Sequence, residues 1–271
     1  MDVNFVKAKN IVVKSSIPTV DYVINPYVGC QHGCKYCYAE FMKRFTNHAG
    51  DTWGEFLDIK QYDWSKIKPE RYNNNTILLS SVTDPYLPLE MKYENTRSIL
   101  EHLVDTKAEI WILTKSKLLT RDIDLFRRFE NIKIGISINT LDDEFARLVE
   151  PRASKPSERI AALKEVNDKN IPTYCFISPI FPRITDYQAI IDATKSITRD
   201  YRFENLNFRP NNIQRILNII KSSYPNLIEF YKELRNDVFY WNGLGQKIMS
   251  CCSEKNLRCK IEFHHGGFSK T

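Results

Sequence analysis

The chain has 271 residues, 42% of them hydrophobic, and a formal net charge of +6 at pH 7, which suits one large α/β domain. No run approaches the roughly 18 uninterrupted apolar residues that a membrane span needs, and the opening MDVNFVKAKN lacks the apolar core of a signal peptide. The expectation is a cytoplasmic protein with no membrane partner, whose mild and scattered positive charge allows nucleic acid as a partner without requiring it.

In chain order, the first apolar run, Tyr22 to Val28, reads as a strand and leads into a loop rich in cysteine and glycine. Residues 41 to 75, with Trp53-Gly54 and Asn73-Asn74-Asn75, read as a long loop-rich insertion placed over the mouth of the fold. Further buried strands are expected at Thr76 to Leu79, Glu109 to Leu113, Ile132 to Ile138, Thr173 to Ile180, Phe203 to Phe208 and Arg258 to Phe263. Between them, apolar residues at helical spacing mark amphipathic helices around Ile99–Val104, Ile160–Val166, Tyr187–Ile197 and Ile213–Ile220. A long helical stretch from Leu227 to Cys252 is expected to pack against the open side. Repeated βα units imply a parallel sheet in a single domain spanning residues 1–271, either doubly wound or barrel-like, and periodicity does not choose between the two.

The loop after the first strand reads Asn25-Pro26-Tyr27-Val28-Gly29-Cys30-Gln31-His32-Gly33-Cys34-Lys35-Tyr36-Cys37-Tyr38-Ala39. Its C-x3-C-x2-C spacing wraps one short loop around one soft-metal centre. Thiolates select iron–sulfur clusters, zinc or Cu(I), and a cubane cluster normally takes four, so three close together imply an iron left open for another ligand. Gly29 and Gly33 permit the tight turns that converging thiolates demand. The alternatives are a structural zinc loop, with His32 or a distant cysteine as fourth ligand, and a simple buried cysteine group. No second C-x2-C knuckle is present to support zinc. In a cytosolic chain, seven cysteines point to reduced, metal-bound or catalytic thiols more than to disulfides.

With an aromatic, Tyr36, just before the third cysteine, the motif resembles the radical SAM superfamily. The segments NPYVGCQHGCKYCYA, WGEFLDIK, SSVTDPYLPLE, ILTKS, EPRASKPSERI and SPIFPRITD together resemble its spore photoproduct lyase-like branch, whose members are often labelled DNA repair photolyases. The resemblance covers about residues 20 to 210. It implies a partial (β/α)6 TIM-like barrel, with a C-terminal extension at about 211–271 and the active site at the C-terminal strand ends. It also implies a [4Fe-4S] cluster on Cys30, Cys34 and Cys37, with S-adenosylmethionine (SAM) on the open iron, and an external one-electron donor such as flavodoxin or ferredoxin. Reductive cleavage of SAM to a 5′-deoxyadenosyl radical, followed by hydrogen abstraction from a substrate, is the implied chemistry, a lyase-like radical reaction.

The same resemblance places SAM contacts at Thr83, Lys115 and Ser137. Tyr36 and Tyr38 beside the third cysteine, Asp84 next to Thr83, Asn139 after Ser137, and Arg152 in the EPRA segment are further candidate contacts. Asp84 before Pro85 also reads as a turn-former, and Arg152 as a partner of Glu150. Arg183 and Asp186 are weaker candidates at the mouth. Photoproduct lyases carry a hydrogen-donor cysteine where this chain has Ser81, and Tyr86 is a candidate substitute. Cys175, Cys251, Cys252 and Cys259 lack a recognised ligand spacing and read as packed core residues, while His264 and His265 read as a tail without partners. The competing whole-protein reading is a non-enzymatic zinc or nucleic-acid-binding module using the same three cysteines.

Overall fold

The computed structural model describes residues 1–234 and 237–264. Its strands are β1 (Asp2–Lys7), β2 (Val12–Lys14), β3 (Tyr22–Ile24), β4 (Tyr27–Val28), β5 (Phe56–Gln61), β6 (Thr76–Leu79), β7 (Glu109–Thr114), β8 (Ile132–Ile138), β9 (Thr173–Ile180), β10 (Asp200–Asn205) and β11 (Arg258–Ile261). Helices α1 (Glu90–Tyr93), α2 (Asn95–Leu103), α3 (Ile123–Phe126), α4 (Asp143–Val149), α5 (Pro156–Asn167), α6 (Tyr187–Thr194), α7 (Ile213–Ser223), α8 (Ile228–Leu234) and α9 (Val238–Glu254) fall between or after them.

The main sheet has eight strands in the order β11-β10-β9-β8-β7-β6-β3-β2. All neighbours pair in parallel except β2, which runs antiparallel to β3. This α/β architecture with a helix-covered parallel sheet is the partial-barrel type, with β2 and β11 at its two ends.

Strand alternation decides what faces where. Ile110 and Ile112 of β7, Ile134 and Ile136 of β8, Cys175 and Ile177 of β9, and Tyr201 and Phe203 of β10 are buried in a core shared with Ile99, Leu100 and Leu103 of α2 and Leu163 and Val166 of α5. The intervening residues, Trp111 and Leu113, Ser137, Tyr174 and Phe176, and Arg202 and Glu204, line a cavity on the opposite face. One sheet therefore separates an apolar layer from a chemically varied one.

The stretch expected as one strand, Tyr22 to Val28, is divided. β3 belongs to the main sheet, whereas β4 joins a second sheet of order β1-β5-β4. Pro26, which has no N–H to donate, sits at the change of sheet. The insertion at residues 41–75 is not loop throughout, because β5 lies within it, parallel to β1 and antiparallel to β4. The strand expected at Phe203 to Phe208 is β10, Asp200–Asn205, since the alternating pattern starts earlier, with Tyr201 and Phe203 both fully buried. The long C-terminal helical stretch is two helices, α8 and α9, with residues 235–236 between them outside the described residues. Among the described residues no helix is long and apolar enough to cross a membrane.

Candidate active site

A cavity of about 220 Å³ lies on the concave face of the main sheet, and Cys30, Cys34 and Cys37 form part of its wall. The cysteine loop is held from outside by backbone contacts that side chains would block. Gly29, at φ +87°, leaves no room for a Cβ, which would fall 2.8 Å from Phe56 of β5. Gly54, at φ +93°, brings the Trp53-Gly54 turn so close to Gly33 that a Cβ would meet its Cα at 2.7 Å. Trp53, Phe56, Cys30 and Ala39 form a small buried apolar cluster over the thiols. His48 supports this layer, stacking on Phe56 at 4.1 Å with its ring nitrogens 2.6 Å from Asp51 and 2.9 Å from Asp58.

Burial pushes all three thiols above their ordinary range, that of Cys34 up to about 12. For Cys30 the charges of Asp84, Cys34 and Cys37 add to the effect. Three such thiols become thiolates together only when positive charge is placed among them, which is what a soft multi-iron centre supplies. Among the described residues, no three His, Cys, Asp or Glu side chains are already drawn to the spacing of a bound ion. The donor set itself, three thiols lining one cavity with Cys30 and Cys34 buried and Cys37 half-buried, is of the right chemistry for a cluster.

The strand ends after β6, β7 and β8 complete this side of the cavity. The Thr83 hydroxyl donates to the Gly29 carbonyl at 2.5 Å, joining the Ser80–Asp84 segment to the cysteine loop. Asp84 accepts from the Thr114 hydroxyl at 2.6 Å and from the backbone N–H groups of Tyr86 at 2.8 Å and Lys115 at 2.9 Å. His32 Nε2 stands 3.2 Å from the second Asp84 oxygen, at contact distance but without hydrogen-bond alignment. Burial alone would raise the Asp84 pKa, yet the His32 charge and these donors outweigh it and hold it at about 2. Asp84 is thus a turn-former and a tie between three segments at once.

Lys115 reaches into the cavity with its Nζ 5.9 Å from the Tyr36 ring centroid. Burial opposes its charge, but Cys34, Glu150 and Asp84 together raise its pKa, so it stays a cation. The Tyr36 hydroxyl donates to Glu150, and the Tyr38 hydroxyl donates to the Ser81 carbonyl at 2.5 Å. Ser137, 1% exposed, donates to the Ser178 carbonyl at 3.1 Å.

Two of the expected contacts stand behind the wall instead of on it. Asn139 is buried beside Glu150, donating to it at 3.3 Å. Arg152 donates to the carbonyls of Gln31, at 3.1 Å, and Gly54, and pairs with Glu55, so it clamps the cysteine loop to the Trp53-Gly54 turn. The partner of Glu150 is not Arg152 but Arg159, in a fully buried ion pair. Tyr86 is also outside the cavity lining, fully buried with its hydroxyl donated to Asp122 at 3.0 Å. Arg183 stacks on Phe230 at 3.9 Å, and Asp186 caps α6. Cys175, Cys251 and Cys252 are buried in the main core, with Cys259 packed against it.

The opposite wall was not singled out from the sequence. It carries Trp111, Tyr174, Phe176, Ser178, Arg202, Glu204, Asn207 and Glu262. His264, expected to lack partners, stands 3.0 Å from Glu204 through Nε2, while its backbone is bonded in both directions to the Asn205 side chain. His265 lies outside the described residues. The one available signal was alternation: taking every second residue of β7, β9 and β10 recovers Trp111, Tyr174, Arg202 and Glu204.

The family model described as the Radical SAM superfamily matches residues 24–193, which includes the cysteine loop and the strand ends described above. The chain belongs to the radical SAM superfamily. This radical SAM protein is 39% identical to an uncharacterised protein of Methanocaldococcus jannaschii over 94% of its own length and 95% of that protein's. It is also 27% identical to a radical SAM Nα-GlyT isomerase of Pseudomonas phage M6, over 61% of this chain and 34% of the phage protein. A spore photoproduct lyase structure complexed with a dinucleoside spore photoproduct superposes with a TM-score of 0.59 at 18% identity. That match covers 82% of this chain and 66% of the lyase, so part of the lyase lies outside it. At this identity the likeness establishes a shared fold, while the family match makes the chain a member of the radical SAM superfamily.

Proposed function

We propose that this enzyme holds a [4Fe-4S] cluster on Cys30, Cys34 and Cys37 and binds SAM beside it, in the cavity where its substrate also sits. The observation that carries this reading is the placement of three cysteine thiols and one cation, Lys115, in the lining of the same cavity. When bound and reduced, such a cluster supplies the electron that splits SAM into methionine and a 5′-deoxyadenosyl radical, which takes a hydrogen atom from substrate.

This chain's residues then have distinct tasks. Lys115 offers its ammonium to the SAM carboxylate. Ser137 and the Ser80–Thr83 segment supply short polar side chains to the rest of the cofactor, and Tyr36 and Tyr38 flank its adenine. Asp84 and Arg152 position the loop, Asp84 through Lys115 and His32, Arg152 through Gln31 and Gly54. Asn139 steadies Glu150 behind Tyr36. A one-electron donor of the flavodoxin or ferredoxin class reduces the cluster from outside. The dinucleoside in the related lyase makes nucleic acid a candidate substrate, and Ser81 in place of a donor cysteine argues for an outcome other than photoproduct repair, because a serine O–H bond is too strong to give up hydrogen readily.

The test is anaerobic reconstitution with iron and sulfide, followed by EPR of the reduced protein with and without SAM. A cubane signal that changes on adding SAM, is absent from a Cys30/Cys34/Cys37→Ala variant, and is accompanied by 5′-deoxyadenosine is the expected result. Stoichiometric zinc without sulfide would overturn it in favour of a metal-stabilised binding module.

A further inference from the structure

The deep end of the cavity is built differently from the cysteine side. On β10, Glu204 lies one inward-facing position nearer the strand's C-terminal end, and Arg202 lies below it. On β7, Trp111 lies well below Lys115. The Tyr174 ring crosses the sheet above Gly135, where any Cβ would fall 2.2 Å from it, and its hydroxyl donates to the Ile112 carbonyl of β7 at 3.1 Å. Arg202 stacks over Trp111 at 4.0 Å and approaches Tyr174 at 5.6 Å, with one nitrogen donating to Glu262 at 3.2 Å. The floor is therefore rigid, flat and aromatic, with a guanidinium fixed on it.

One polar group in this floor has no partner among the described residues: the indole N–H of Trp111 is buried and unbonded. A buried donor left unpaired is costly, so the position calls for an acceptor. Trp111 lines the cavity with Arg202 stacked over its face, and its indole N–H is the floor's unmet donor. Glu204, held by the Ser178 hydroxyl and by His264 at 3.0 Å, places an acceptor higher up. The cavity is donor-rich at its floor and acceptor-rich above it.

We propose that Trp111 and Arg202 form a substrate subsite that seats a flat group by a carbonyl or carboxylate oxygen, with Glu204 turning the substrate's hydrogen-bond donors toward the cysteine loop. This rests on reading the cavity as the seat of the substrate. It assigns orientation and specificity to residues outside the cluster loop.

Saturation-transfer NMR on the cluster-loaded protein tests it with three ring-sized probes: benzoate, uracil and benzylamine. The first two present acceptor oxygens, charged and neutral, and the third presents only a cation. Saturation of benzoate or uracil, weakened at least tenfold by Trp111→Phe, with little or none for benzylamine, is the expected result, and the stronger of the two acceptors tells carboxylate from carbonyl. Arg202→Lys, which keeps the charge but loses the flat stack, should also weaken binding, and thermal melting verifies that both variants fold. Binding of benzylamine at least as strong as that of the acceptors, no binding of any probe, or folded variants that bind as tightly as the unmutated protein would overturn the subsite. The SAM-induced EPR change of the unmutated protein is recorded on the same preparation. Its absence, with probe binding intact, would sink the radical reading while leaving the subsite standing.

Discussion

Asp84 shows how one side chain can tie together the segments that build a cavity wall. Its oxygens are taken by Thr114, by the backbone of Tyr86 and Lys115, and by the approach of His32. Its pKa is held at about 2, below the ordinary carboxylate range, so the ionised form stabilises the fold. That contribution is fully present above pH ~4 and is lost as pH falls through the folded-state value, amounting to ~2 kcal/mol. Asp84→Asn should lower stability by about that amount at pH 7 in urea titrations, and the gap between the two proteins should narrow between pH ~4 and ~2. A gap that does not change with pH would show that the carboxylate's charge plays no part. From the sequence, Asp84 reads equally as a turn residue and as a ligand contact. Only its partners Thr114, Lys115 and His32, which lie thirty and more residues away, reveal the tie.

At the scale of elements, the barrel strands were legible because their apolar residues are concentrated and their turns punctuated, as in Ile132–Ile138 and Thr173–Ile180. Less legible was β5, because Phe56, Leu57, Asp58 and Ile59 are all buried and show neither clean alternation nor helical spacing. Asp58 is tolerated there only because His48 stands 2.9 Å from it, and that pairing is not visible in a local window. The β8–α4–α5 unit contains a stronger case, the Glu150–Arg159 ion pair, in which both side chains are buried. Replacing one member leaves an unpaired buried charge. Arg159→Met should cost ~3–5 kcal/mol by urea denaturation, and adding Glu150→Gln should recover a substantial part. If the single variant costs less than about 1 kcal/mol, the buried pair is not what fixes this unit. Glu150 also accepts from Tyr36, so the same variant should disturb the cysteine loop.

For the molecule as a whole, cofactor loading and stability are linked. A group that binds the folded chain alone stabilises it by about 2.7 kcal/mol when present at a hundred times its dissociation constant. For a chain of this size that corresponds to roughly 5–10 °C in melting temperature. Anaerobic melting should therefore place the iron- and sulfide-loaded protein well above the chelator-stripped one, and the Cys30/Cys34/Cys37→Ala variant should show no difference between the two treatments. An equal rise in the variant would mean that iron acts elsewhere.

The cysteine spacing by itself pointed to one soft-metal centre and to the side of the protein where chemistry is to be sought, because three thiols on one short loop can meet around one centre without help from the rest of the chain; the superfamily came from the resemblance of that motif and the segments after it. The run of βα units likewise determined the parallel sheet, since burial on both faces writes itself into composition. Tertiary structure alone decided the rest. It placed Asn139 and Arg152 behind the wall, took Tyr86 out of the cavity, brought His264 to Glu204, and gathered Trp111, Tyr174, Arg202 and Glu204 into the wall opposite the thiols. Each of these depends on strand register or on contacts between residues far apart in the chain, and no local pattern of residues encodes either.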